Sequence, residues 1–135
     1  MNWKRSVLFM LLVWVMSACS LGRDMPQSTR TGKIHDVRVG ESIEPKVIQA
    51  RWGDEVRWIN ARQMPIRIVF VDSFREQVAC QKDFKISDTA TLAKIDANEY
   101  ASLCFVSPGA YIYNARMDSP VPGGEINAVG RVVVE

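Results

Sequence analysis

Residues 43–72, "IEPKVIQARWGDEVRWINARQMPIRIVFVD", decide the fold of this chain. They hold three short runs, "KVIQA", "DEVRWIN" and "IRIVFV", rich in β-branched and aromatic residues and separated by a Trp-Gly-Asp turn and by a proline entry at Pro65. Successive side chains of a strand point to opposite sides. Ile66, Ile68 and Phe70 therefore share a face, the period expected of a strand and not of a helix. Trp58 alternates into a core position in the same way, whereas Trp52, in the turn, is expected to be partly exposed.

Working outward, "IHDVRVG" precedes this region, and "YASLCF", "AYIYNAR" and "GRVVVE" follow it. Tyr111, Tyr113 and Ala115 share a face. Seven such runs predict an all-β sandwich of about seven strands in two sheets. The one stretch without this rhythm, "DSFREQVACQKDFKISDTATLAKID", puts Phe74 and Val78 four apart and reads as an irregular or short helical insertion.

The chain has 135 residues, 47% hydrophobic and 24% charged, which suits one compact domain. Its net charge of +2 comes from 17 Lys and Arg against 15 Asp and Glu, and Lys4 and Arg5 account for the excess. A balanced chain without blocks of like charge is not expected to bind nucleic acid.

The first residues read as an export signal. "MNWKR" is basic, "SVLFMLLVWVM" is an apolar run too short to span a bilayer comfortably, and small residues lead to Cys19. "VMSACS" resembles a lipobox, with Met16 where leucine is usual, and the resemblance implies a lipidated Cys19. A plain signal peptide that discards Cys19, or a membrane-spanning anchor, are the alternatives. The expected organisation is a signal at 1–18, a lipidated cysteine and flexible tether at 19–33, and a folded domain at 34–135. Ser20, where aspartate would favour the inner membrane, points to the periplasmic face of the bacterial outer membrane.

The pattern of residues 43–72 resembles the first half of the cupredoxin family: an alternating strand, a Gly-Asp turn, a Val and Trp strand ending in Asn, then a proline opening the next strand. "SPGAYIYNARM" and "GRVVVE" resemble the family's Pro-Gly-x-Tyr-x-Tyr hairpin and closing strand. The resemblance implies a Greek-key β-sandwich. In blue-copper members a histidine follows the proline, and a cysteine, a second histidine and usually a methionine cluster after the Tyr-x-Tyr strand. Here those positions fall at Ile66, Ala115, Asp118 and Val121. The family's type 1 copper ligands are missing.

A count agrees. A trigonal site needs two imidazoles and a thiolate, and the chain has one histidine, His35. Ile66 and Ala115 are expected to pack as apolar core, and no cofactor is expected. The alternative is a rebuilt copper site using soft sulfur from Met64 and Met117 with His35 or Asp118; otherwise these methionines are packing residues and His35 is solvated or hydrogen-bonded.

Cys80 and Cys104 are the thiols left beyond Cys19, and in an exported protein a disulfide is the expected state. There is no C-x-x-C to suggest a redox pair. If Leu103 and Phe105 face the core, Cys104 faces outward and pins the 72–98 segment to the sheet.

No G-x-S-x-G, H-E-x-x-H or phosphate loop is present, so the chain is not expected to be an enzyme, and no small-molecule substrate is indicated. The expected role is that of an accessory or interaction module, held at the membrane by lipid. Its partner would be an envelope or electron-transfer complex, met through the long loop end "NARMDSPVPGGEIN", with Asn114, Arg116, Met117 and Asp118 as contact residues.

Overall fold

The computed structural model describes residues 32–135. The signal at 1–18, Cys19 and the tether up to residue 31 lie outside the described residues.

Among the described residues, eleven strands form two sheets. The five-stranded sheet has the order β2 (Ile43–Glu44), β1 (Ile34–Val39), β4 (Glu55–Asn60), β9 (Tyr100–Phe105), β6 (Val78–Lys82). The six-stranded sheet has the order β3 (Val47–Ala50), β11 (Glu125–Val134), β10 (Gly109–Asp118), β5 (Ile66–Phe70), β8 (Thr91–Ile95), β7 (Phe84–Ile86). The pairs β1–β4 and β3–β11 are parallel and the other pairs are antiparallel. Most consecutive strands cross from one sheet to the other, as a Greek-key sandwich requires.

Alternation works as read: Ile66, Ile68 and Phe70 are buried while Arg67 between them is exposed. Tyr113, Ala115 and Met117 are fully buried on the facing strand. Trp58 is fully buried and sits edge-on to Phe70, Phe84 and Tyr113 at 5.6, 5.4 and 5.4 Å between ring centroids. Edge-to-face rings of this kind add about 0.5–1.5 kcal/mol per pair beyond area burial. Trp52 is 57% exposed, as its turn position predicted.

Three expectations are corrected. The stretch after Phe70 is not an irregular insertion: it contains one 3-10 turn at Arg75–Gln77 and the strands β6, β7 and β8. Its strands are short, and two lie on sheet edges, which is why their alternation was hard to see. The loop after Tyr113 is not long. The β10–β11 ladder runs unbroken from Gly109 opposite Val134 to Asp118 opposite Glu125, leaving residues 119–124 as a tight turn. Pairing stops where Pro120 and Pro122 have no N–H to give and Gly123 takes a positive φ of 75°.

The third correction concerns Cys104. It forms the expected disulfide with Cys80, its direct partner across β6–β9, with 4.9 Å between Cα atoms. It does point away from the core side of Leu103, yet it is fully buried. Its cross-strand neighbours are Glu55 of β4 and Cys80 of β6.

Candidate functional site

The pole of the sandwich where β4 ends, β5 begins and the β10–β11 hairpin turns is where the sequence pattern directs attention. Asn60 organises it. The residue shares a face with Val56 and Trp58, so a polar side chain occupies a core position and must find partners. Its amide nitrogen donates to the carbonyls of Met64 at 2.9 Å and Ile95 at 3.1 Å, and its oxygen accepts from the Arg62 N–H at 2.8 Å. This fixes the 61–65 loop against β8.

Arg62 then reaches across the pole and donates from Nη2 to the Asp118 carbonyl at 2.9 Å. Its Nη1 is enclosed without a hydrogen-bond partner among the described residues. A guanidinium thus spans the gap between the loop and the hairpin. Sequence reading missed both Asn60 and Arg62. The available signal was a polar residue at the buried parity of an alternating strand.

Ile66 stands opposite Met117 on one side and Ile95 on the other, and all three are buried. Ala115, fully buried, is opposite Ile68. Asp118 is exposed on the outer side of β10, with a carboxylate oxygen 3.8 Å from Arg67. Val121 is 66% exposed in the turn. The four positions where the resemblance puts metal ligands therefore do not converge as donors: two are hydrocarbon in the core, one is a surface carboxylate facing an arginine, and one is an exposed aliphatic. This set does not fit type 1 copper, which requires imidazole and thiolate donors.

The soft-donor alternative is not assembled as a set either. His35 pairs in register with Val56 at the far end of β4, four residues or about 13 Å from Asn60 along the strand. Its Nε2 lies 2.8 Å from Oδ2 of Asp54, a buried carboxylate that also accepts the Arg51 N–H at 2.9 Å. Met64 is 42% exposed beside Asn60, and Met117 is enclosed under Ile66. The two methionines share a pole, and His35 belongs to the opposite one. Asn114, Arg116, Met117 and Asp118, read as loop contacts, all lie on strand β10, with Met117 turned inward.

No family model matches the chain, and no curated protein matches it. Solved structures do. A Cu(I) form of a methionine-to-alanine variant of amicyanin is 26% identical with a TM-score of 0.54, covering 76% of this chain and 82% of that one. An oxidised methionine-to-lysine variant gives 25% and 0.54 over 76% and 82%. A reduced tryptophan-to-tyrosine variant gives 24% and 0.55 over 77% and 84%. The fold is cupredoxin-like. The likeness extends over the two-sheet sandwich, and such a fold suggests an electron-transfer or copper-binding type of domain. The donors at this pole, as described above, are not those of a type 1 centre.

Proposed function

We propose that this protein is a cell-envelope lipoprotein, anchored through Cys19 at the periplasmic face of the outer membrane, whose cupredoxin-like domain serves without copper as an accessory or interaction module and not as an enzyme. The observation that carries the copper-free part is the register of Ile66 and Met117, which fills the proline-entered end of β5 with hydrocarbon. The hairpin end, braced by Arg62, is the surface this reading offers to an envelope or electron-transfer complex.

Labelling cells with radioactive palmitate tests the anchor: a labelled mature chain that loses its label in Cys19→Ser is expected, and an unlabelled chain refutes it. Crosslinking in solubilised membranes tests the module. A defined larger complex is expected, and recovery of free monomer alone refutes it.

A second reading is supported by the copper-bearing amicyanin neighbours and by Met64 and Met117 lying at one pole. In it the protein carries copper or electrons in the periplasm through a rebuilt, non-type-1 site. Titration with Cu(I) and Cu(II) separates the two, since a dissociation constant tighter than about 1 μM favours the second reading.

A further inference from the structure

The side of the six-stranded sheet turned away from the core gathers positive charge. Arg116 on β10 stands opposite Arg67 on β5, and Arg67 stands opposite Lys94 on β8, so three cations occupy consecutive places in one cross-strand row. Lys85 on β7 and Arg131 on β11 face the same way. Like charges set opposite one another weaken a ladder, so this row opposes folding unless something else favours it. Glu125 and Asp118 offset Arg67, at 2.6 and 3.8 Å. Arg116, Arg131, Lys85 and Lys94 have no ion-pair partner among the described residues.

The rest of the domain has the opposite sign. Residues 32–135 hold 13 Lys and Arg against 14 Asp and Glu, and with this face set aside 8 remain against 12. The outer side of the five-stranded sheet is balanced, with Asp36, Glu44 and Glu55 against Arg38, Arg57 and Lys82, so the cationic excess belongs to the six-stranded sheet and the acidic excess to the loops. Aliphatic side chains stand among the cations: Ile112 is 55% exposed and Val129 58%, with Val47 and Leu92 beside them. Among the described residues, the strands of this sheet turn no aromatic ring to this face. That composition argues against a protein hot spot, which favours Trp and Tyr, and against a stacking platform for single-stranded nucleic acid.

Cations on neighbouring strands of one sheet face, borne on long side chains that can splay apart, suit a plane of phosphates, which guanidinium groups bind bidentately. The chain outside the described residues points to the same partner. If Cys19 carries lipid, the 14 residues from Ser20 to Lys33 can span no more than about 50 Å, so the domain is kept within reach of the bilayer. We infer that the outer face of the six-stranded sheet rests on an anionic phospholipid surface, with its cations on headgroup phosphates and Ile112 and Val129 at headgroup level. This inference rests on the anchored reading above.

The test uses the full lipidated chain in phosphatidylcholine vesicles and in vesicles with one third phosphatidylglycerol. Co-flotation with phosphatidylcholine reads the anchor alone. Amine labelling of Lys85 and Lys94, read by mass spectrometry, reads the face. On anionic vesicles both are expected to label several-fold more slowly than on neutral ones, with Lys82, on β6 of the five-stranded sheet, as an internal control that does not change. Moderate salt is expected to abolish the difference. Each cation near such a surface is worth about fivefold in binding, so Arg116→Thr with Arg131→Thr is expected to weaken it about 25-fold and restore labelling. If the chain does not float with neutral vesicles the anchor fails, and co-sedimentation of the unlipidated chain with anionic vesicles then decides the face.

Equal labelling on both vesicle types overturns the inference. So does protection that already exists in detergent, which would assign the face to the N-terminal segment. Protection that grows with protein concentration would assign it to a second copy. Protection seen in native envelope membranes but on no vesicle would assign it to an acidic protein, and each of these likewise overturns the inference.

Discussion

Ile66 and Met117 face each other across the β5–β10 ladder, each fully buried, at the end of the sandwich where the resemblance implies a ligand. Ile66 is therefore a packing residue. Ile66→Ala is expected to cost about 2–5 kcal/mol in urea unfolding, the range for a buried aliphatic truncation. A loss below about 1 kcal/mol would mean that the pole is loosely packed and that its contact with Met117 does not hold it.

Asn60 makes three hydrogen bonds that tie the 61–65 loop to β8. Asn60→Ala removes all three bonds, and each group left buried without a replacement costs about 1–3 kcal/mol. A loss of several kcal/mol is expected, together with faster amide exchange in residues 61–65. Unchanged exchange in that loop would show that Asn60 does not order it.

Gly130 lies opposite Tyr113 with no room for a side chain: a Cβ there would clash with the Tyr113 ring carbon Cζ and with its hydroxyl oxygen. Gly130→Ala is expected to destabilise by about 1–3 kcal/mol through overpacking. In Tyr113→Ala the same change should cost almost nothing, so the double variant is strongly non-additive. Additive losses would place the strain elsewhere.

Cys80 and Cys104 join edge strand β6 to β9 across a sequence separation of 24. Replacing both with alanine is expected to cost about 2–4 kcal/mol, and to loosen β6 first because it has one neighbour. Ellman titration of the oxidised domain should find neither thiol, and two free thiols would refute the bridge.

Burial pushes the Tyr113 phenol up to about 12; the Trp58 indole N–H nearby partly opposes this, without the alignment of a hydrogen bond. Unfolded tyrosine ionises near pH 10. Between these values the unfolded chain has lost a proton that the native state still holds, so stability is level below about pH 10 and falls as pH rises toward 12. The fall from this group is on the order of 2–3 kcal/mol. Tyr113→Phe should flatten it, while Tyr111, also raised by burial, leaves a smaller slope. An unchanged slope in Tyr113→Phe would exclude this phenol as the source.

The sheet class, the core face of Ile66, Ile68 and Phe70, the buried Trp58, the Cys80–Cys104 bridge and the exposed Trp52 were all legible from the chain. Each follows from a local rule: period-2 alternation, or the pairing of thiols in an exported protein. The strands β6 and β7 were not legible because short edge strands bury one face at most and their alternation is diluted by charge, and β8, between β5 and β7, was not because two of its three buried positions are Thr91 and Ala93. The hairpin was read as a loop because prolines and glycines at 120–124 mask the strands that flank them.

The sequence by itself determined that this chain folds as an all-β sandwich and that it has too few imidazoles for a trigonal copper site, since composition and periodicity are properties of the chain alone; that the sandwich is cupredoxin-like was implied by its resemblance to that family. Only the tertiary structure decided that Ile66 meets Met117, that His35 pairs with Asp54 at the far pole, and that Arg67, Arg116 and Lys94 line up in one row. These are relations between residues from about 20 to 50 positions apart, and the register that creates them is set by which strands pair, a choice that no single strand contains.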